Sequence, residues 1–367
     1  MSDCTGSAFT LTVFGESHGP AIGAVVTGLV PGTVIDEEFM ARQMDKRRAK
    51  GKISTARTEA DRVRIVSGVY KGRATGTALT LLIENQNVRS GDYQKTENLL
   101  RPGHADYTAF AKYGGHQDPR GGGHFSGRLT APLVAAGSIF TKMLAEKGVV
   151  IATHLARCGG VEDVPFSRDP DTLLAQAKAL NQRDFAVLDE GRAAAMTRVI
   201  EAASAEGDSV GGVLETVVLG LPAGVGEPFF HSVESVLAQL LFSIPAVKGV
   251  EFGDGFALAD LHGSQANDPL RMQNGRIVTT QNRNGGVNGG ITNGMPVVLR
   301  SVVKPTPSIY KVQQTVDYAA KRNATLQING RHDPCIVHRA RVVQDSLVAF
   351  GLADLWAQQE GMKWSTD

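Results

Sequence analysis

Glycine runs punctuate this chain at Gly114-Gly115, Gly121-Gly122-Gly123, Gly285-Gly286 and Gly289-Gly290, within a total of 42 glycines in 367 residues. Each run marks a place where the backbone turns sharply or approaches something a side chain would exclude. The fold is therefore one of regular elements joined by specialised loops. The segments with neither helical nor strand pattern are long, at 85–127, 253–294 and 306–331. Loops beyond about 12–15 residues in a compact chain are usually functional or disordered, and these carry the His, Arg and Gly clusters.

Between the loops, residues 21–30 are β-rich, Pro31-Gly32 turns the chain, and Asp36 caps a helix with Phe39, Met40 and Met44 on one face. Two β-rich runs at 62–70 and 76–83, separated by Lys71-Gly72-Arg73, predict an antiparallel hairpin. The same β-α-β-β order returns with a strand at 210–214 closing in Gly220-Leu221-Pro222-Ala223-Gly224, a helix at 231–242, and strands at 247–256 and 295–303. Helical composition marks 130–147, 171–180 and 191–205, and 149–155 is a strand candidate. Strands and helices do not alternate strictly. That predicts α+β, with antiparallel sheets against helices rather than a doubly wound parallel sheet. One unit over 1–367 is expected, with two pseudo-repeated halves at roughly 8–150 and 205–355.

A net charge of +1 argues against a nucleic-acid or membrane partner, so any positive field is local. The N-terminus has no basic stretch followed by an apolar core, and no 18-residue apolar run occurs; a soluble, cytoplasmic protein is the expectation. Cys4, Cys158 and Cys335 are too few and scattered for a disulfide framework or a Cys-rich zinc site, and Cys335 reads better as a buried thiol than as a nucleophile.

Chemistry concentrates at a few points. His18, between Ser17 and Gly19, has a hydroxyl neighbour able to set its tautomer. His104 follows the Pro102-Gly103 turn with Arg101 and Asp106 close by, so acid, base and anion-binding groups share one loop. The triple glycine before His124-Phe125-Ser126-Gly127-Arg128 reads as backbone amides and a helix start offered to an anion or a flat cofactor. No metal signature accompanies His116, Asp118 and His124, so no metal is expected. Lys46, Arg47, Arg48, Lys50, Lys52 and Arg57 exceed what a helix C-terminus needs, and part of that run reads as a gate for carboxylate or phosphate. The glycine-rich loop 284–294 enters a strand, unlike a dinucleotide-binding turn. Lys304-Pro305-Thr306-Pro307-Ser308 ends that strand, and Gly330-Arg331-His332-Asp333-Pro334-Cys335 precedes the last helix.

These motifs, with Gly15-Glu16-Ser17-His18-Gly19, Arg101-Pro102-Gly103-His104-Ala105-Asp106-Tyr107 and Ser243-Ile244-Pro245-Ala246-Val247-Lys248-Gly249, closely resemble the chorismate synthase family, in order along essentially the whole chain. The resemblance implies a β-α-β sandwich with an internal repeat, usually a homotetramer. It implies a lyase that converts 5-enolpyruvylshikimate 3-phosphate to chorismate by 1,4-trans elimination of phosphate, with reduced FMN (FMNH2) as cofactor and NADPH as a possible reductant. By the same resemblance His104 protonates the leaving phosphate, His18 supports the reduced flavin and Asp333 handles the substrate proton. FMN contacts fall on His124, Phe125, Ser126, Pro245, Ala246, Gly289, Lys304, Pro305, Thr306, Pro307, Ser308 and Arg331. Substrate or NADP phosphate falls to Arg47, Arg48, Lys52, Arg101 and Arg128. Many members read Arg-Ser-Ser-Ala-Arg-Glu where this chain has His124 to Leu129, which implies changed cofactor contacts there. Two other readings stay open: a flavin- or phosphate-binding protein without turnover, and a metal-dependent phosphohydrolase using His104, Asp106, His116 and Asp118.

Overall fold

The computed structural model describes residues 3–51, 53–54, 60–86, 98–328 and 332–362; Lys52, Arg57 and Arg331 lie outside them. The first sheet is antiparallel and contains β1 (Cys4–Thr5), β2 (Thr10–Gly15), β3 (Ala21–Thr27), β4 (Val63–Ser67) and β5 (Leu79–Glu84), in the order β1-β2-β3-β5-β4. Helix α1 (Glu37–Arg47) lies between β3 and β4, and Asp36 caps it by accepting from the Phe39 amide at 2.8 Å. Ile22, Ala24 and Val26 stand opposite Ile83, Leu81 and Leu79. All six are fully buried on the inner face, as a period of two requires. After β5 come α2 (Asp106–Tyr113) and α3 (Thr130–Glu146).

The second sheet holds β6 (Val150–Cys158), β7 (Val161–Glu162), β8 (Gly212–Leu219), β9 (Val247–Phe252) and β10 (Val297–Val303), in the order β9-β10-β8-β6-β7. Helices α4 (Pro170–Leu180) and α5 (Glu190–Ala205) follow β7, α6 (Val233–Phe242) joins β8 to β9, and α7 (Val337–Met362) follows β10. The run β3-α1-β4-β5 and the run β8-α6-β9-β10 thus take the same order, with the last strand inserted between the first two of its sheet.

The helices between the sheets make the middle layer, and α7 is its axis. Nearly every residue of α7 from Val337 to Leu355 is buried, polar ones included, because neighbours surround it. A Cβ on Gly137 of α3 would sit 2.3 Å from Ser346 Cβ, so α3 and α7 meet almost backbone to backbone. Asp354 accepts from the amides of Ser7 and Phe9 at 3.1 and 2.8 Å and ties the first strands to this helix. Helix α4 covers the outer face of the second sheet through Leu173, Ala177 and Leu180 against Ala152 and Val217. Among the described residues no helix is long and apolar enough to cross a membrane.

On that outer face the buried His154 ring bridges Asp163 Oδ2 at 2.7 Å and Glu215 Oε2 at 3.0 Å, while the Asp163 carboxylate also accepts from the amides of Leu188 and Asp189. Burial opposes the imidazolium, but the two carboxylates outweigh it and raise the His154 pKa. A raised folded pKa gives stability that is complete below the unfolded value near 6.5 and fades as pH rises through the folded value. His154→Ala should therefore cost about 3 kcal/mol at pH 6 and distinctly less at pH 9 in urea denaturation. An equal cost at both pH values would show that the folded ring carries no extra proton.

The sequence reading needs correction in its loops and strand ends. The 62–70 run pairs with β5 but breaks at Gly68 (φ 82°), and Val69–Tyr70 forms a separate ladder with Arg73–Ala74 around Lys71 and Gly72. The strand expected to 256 stops at Phe252. The long loops contain α2, a hairpin of Leu270–Gln273 with Arg276–Thr279, and another of Gln313–Asp317 with Arg322–Leu326. These elements are short and bury little, Leu270–Gln273 nothing, so no hydrophobic period announces them.

Candidate active site

The triple glycine organises the site. Gly121, Gly122 and Gly123 have φ of 60°, 91° and 52°, the left-handed region that glycine enters without strain. Space makes the same demand. A Cβ on Gly121 would lie 2.1 Å from His18 Cε1, and one on Gly122 would lie 3.0 Å from His104 Cε1 and 3.1 Å from its Nε2. Two histidines far apart in sequence thus rest against neighbouring glycines.

His18 comes from the turn after β2. The Ser17 amide donates to Gly123 O at 3.1 Å, and the Ser17 hydroxyl donates to Arg120 O at 3.2 Å. With its hydrogen so engaged, Ser17 Oγ accepts from His18 Nδ1 at 3.0 Å, which places that ring proton on Nδ1. His18 itself is buried.

His104 follows a turn in which its amide donates to Arg101 O at 3.2 Å and Gly103 has φ 71°. Asp106 opens α2 and reaches back. Its Oδ2 accepts from the Arg101 amide at 2.9 Å and Nε at 2.7 Å, and its Oδ1 accepts from Arg101 Nη2 at 2.6 Å and His104 Nδ1 at 2.7 Å. Burial pushes the Asp106 carboxyl upward, but these hydrogen bonds and charges hold it well below the usual carboxylate range. The second half of the chain clamps this loop. Lys304 Nζ donates to Gly103 O, the Leu100 amide to Val316 O and the Tyr318 amide to Asn98 O.

The expected anion-binding arginines already have anions. Arg47 Nη1 meets Asp61 Oδ2 at 2.9 Å, Arg128 Nη1 binds Asp61 Oδ1, and no side chain of the three is more than 6% exposed. Arg47 also donates to Thr130 Oγ1 and Gly127 O, and Arg128 to Asn85 Oδ1. Arg48 meets Asp45 at 3.2 Å, and Arg101 is held by Asp106. In the basic run read in part as an anion gate, Arg47, Arg48 and Lys50 are thus each paired with an aspartate, Arg47 buried and the other two partly exposed. A cavity of about 520 Å³ opens beside Asp61 and Arg128, lined also by Arg62, Arg64, Glu84 and Gln86.

The expected cofactor positions divide. His124 Nδ1 donates to Gly15 O at 2.7 Å, the Phe125 ring lies 6.2 Å from that of Tyr113, and Ser126 Oγ accepts from the Arg128 amide at 3.3 Å. The Lys304 amide donates to Ala246 O at 2.9 Å, which joins Pro245-Ala246 to residues 304–308. A Cβ on Gly103 would lie 3.4 Å from Pro307 Cβ, so that segment borders the His104 loop. Pro305 packs beside Gly211, Ser308 is buried, and Thr306 Oγ1 is buried with no hydrogen-bond partner among the described residues. Gly289 stands apart. It turns a short hairpin whose Gly290 carbonyl accepts from the Val233 amide at the start of α6, one helix length of about 15 Å from Pro245-Ala246 at its end.

Asp333 Oδ2 accepts from Arg339 Nη1 at 2.6 Å, and Arg339 Nε donates to Arg47 O, so Asp333 is coupled to the end of α1. Beside it, burial and the charge of Arg101 push the His332 imidazole below its usual range, and His332 Nε2 is buried with no partner among the described residues. Cys335 is a buried free thiol, its Sγ 3.7 Å from that of Cys158. Asp118 is engaged by Arg120 Nε and Nη2 at 2.9 Å, and among the described residues no group of three or more His, Cys, Asp or Glu side chains is arranged to hold a metal ion. The sequence reading missed Asp61 altogether. It lies in a polar stretch with no motif, and only the fold makes it the partner of two arginines.

A family model described as chorismate synthase matches residues 9–357. A chorismate synthase of Thermococcus kodakarensis is 46% identical over 349 residues, covering 95% of this chain and 96% of that protein. One from Aeropyrum pernix is 45% identical over 367 residues, covering 100% of this chain and 96% of its own length. A solved structure described as a crystal structure of chorismate synthase matches with a TM-score of 0.74 at 26% identity, covering 97% of this chain and 94% of that one.

Proposed function

The chain belongs to the chorismate synthase family and is a carbon–oxygen lyase that forms chorismate from 5-enolpyruvylshikimate 3-phosphate by 1,4-trans elimination of phosphate; on that premise we propose that His18, His104 and Asp333 carry the proton chemistry in a site that also holds reduced FMN. The observation that carries this reading is the approach of His18 and His104 to adjacent glycines of one loop. Bare backbone at Gly121 and Gly122 is what lets the two imidazoles come this close to one loop. Thr306 Oγ1 and His332 Nε2, buried without partners among the described residues, are polar atoms of the kind a phosphate- and carbonyl-bearing cofactor satisfies.

The residues that hold the cofactor in this reading are His124, Phe125, Ser126, Pro245, Ala246, Gly289, Lys304, Pro305, Thr306, Pro307, Ser308 and Arg331. When bound, reduced FMN supplies electron density for breaking the C–O bond and recovers it. His104, with Nδ1 committed to Asp106, delivers a proton from Nε2 to the departing phosphate. His18 keeps its proton on Nδ1 through Ser17, and Asp333, oriented by Arg339, takes the substrate's proton. Arg47, Arg48, Lys52, Arg101 and Arg128 serve the anionic groups of the substrate or of NADPH as reductant; Arg47 and Arg128 do so by exchanging Asp61 for an external anion, while Arg101 keeps Asp106. The same reading takes the protein as a cytoplasmic homotetramer, each chain one unit with halves at about 8–150 and 205–355, without nucleic-acid or membrane partners.

The test is anaerobic phosphate release from 5-enolpyruvylshikimate 3-phosphate with dithionite-reduced FMN. The unaltered protein should turn over, and His104→Ala should lose about 10²–10⁴-fold in kcat. No release from the unaltered protein would sink the reading as a whole, and an unimpaired His104→Ala enzyme would remove His104 from it.

A further inference from the structure

We propose that Asp106 is a positioning residue for the elimination: through its carboxylate it fixes the proton of His104 on Nδ1, so that Nε2 is the nitrogen that works, and it ties that ring to Arg101. The proposal rests on the assignment of His104 as the proton donor and extends it to a residue outside the expected catalytic set.

The argument begins with what an ionised carboxylate can do. It accepts hydrogen bonds and donates none. Asp106 accepts four, three from Arg101 and one from His104 Nδ1, all between 2.6 and 2.9 Å. The His104 nitrogen at 2.7 Å must therefore be a donor, and Nε2 is left as the nitrogen that can change its proton. That atom faces the glycine strip, 3.1 Å from where a Gly122 Cβ would stand.

Arg101 has a separate task. Its planar fork holds both carboxylate oxygens, which stops the group from rotating away from the imidazole. Its charge also keeps Asp106 ionised, so the acceptor on Nδ1 persists at every pH where the enzyme works. The charged groups around this pair are Arg101 and His104 on the loop itself, Lys304 at Gly103 O, and His332, which feels the charge of Arg101. A purely structural clamp would need only Arg101 to close the loop, and the residue before α2, Ala105, gives the helix no side-chain cap. The bond to His104 adds nothing to that closure, but it holds the ring in one orientation. When Nε2 carries a proton, Asp106 faces an imidazolium and stabilises it, as in other carboxylate–histidine pairs.

The test compares Asp106→Asn, Asp106→Glu and His104→Ala, together with the ring-nitrogen spectrum of histidine-labelled unaltered protein. Asp106→Asn keeps the size but makes one acceptor a donor. It should lower kcat about 100-fold or more while changing KM for the phosphorylated substrate less than about threefold, and it should displace the pH limb that His104→Ala abolishes. Asp106→Glu should recover part of kcat. In the unaltered protein with FMN bound, the neutral His104 ring should show a protonated Nδ1 and a bare Nε2. The opposite tautomer would overturn the proposal without any variant having to fold. Unchanged kcat and pH profile in Asp106→Asn, beside an inactive His104→Ala, would overturn it alone. A fully active His104→Ala would overturn both it and the role of His104.

Discussion

Gly121→Ala is expected to yield a folded protein whose phosphate release is about 100-fold slower or worse. Two costs meet at this position. The backbone sits at φ 60°, where an L side chain loses about 1–2 kcal/mol, and the new Cβ would stand 2.1 Å from His18 Cε1. The loop has little freedom to yield, because Ser17 is bonded to both Arg120 O and Gly123 O. The ring must move instead, by about the ångström that costs orders of magnitude in a positioned reaction. Gly160→Ala is the control. It has φ 86° but open space around its Cβ, so it should pay only the backbone cost and keep its activity. Thermal melting beside the anaerobic assay separates the two effects. Wild-type turnover in Gly121→Ala would mean that His18 has no fixed place in the reaction.

Asp61→Ala should lower the unfolding free energy by about 3–5 kcal/mol, the cost of removing a buried carboxylate that two buried cations share. Arg47 and Arg128 cannot simply swing out, since Thr130, Gly127 O and Asn85 hold them from other sides. Two guanidinium charges would then share a site whose side chains are at most 6% exposed. Urea denaturation measures the loss, and added phosphate should restore part of it by binding the folded state. A loss below about 1 kcal/mol would mean that the triad behaves like a surface ion pair.

How legible the molecule was in its sequence depended on the kind of signal. The cores of α1, β5 and α6 could be read because their apolar residues recur on one side, β3 and β8 because they are β-rich runs closed by Gly-Pro turns, and Asp36 and the Lys71-Gly72 turn carry local chemistry that fixes their conformation. The hairpin at 270–279 and helix α2 were missed because they bury almost nothing and so leave no period. At the site, the triple glycine was legible as a place of close approach, and what approaches it is the pair of histidines. The arginines were legible as cations but not by their internal partners. A guanidinium in a basic run looks the same whether its partner is a substrate or Asp61, and the partner comes from a stretch with no pattern.

Helix α7 has a consequence for how this protein comes into being. It packs on α3 and on the inner face of the second sheet, yet it is made after almost everything that packs on it. While the chain emerges from the ribosome, the inner face of the second sheet stays without the cover that α7 gives it, and the bonds from Asp354 to the amides of Ser7 and Phe9 wait for nearly the whole chain. Such distant pairings are slow to form and leave apolar surface exposed meanwhile. The second sheet is therefore expected to close only once α7 has been made, and a chain cut short before α7 should leave that apolar face open.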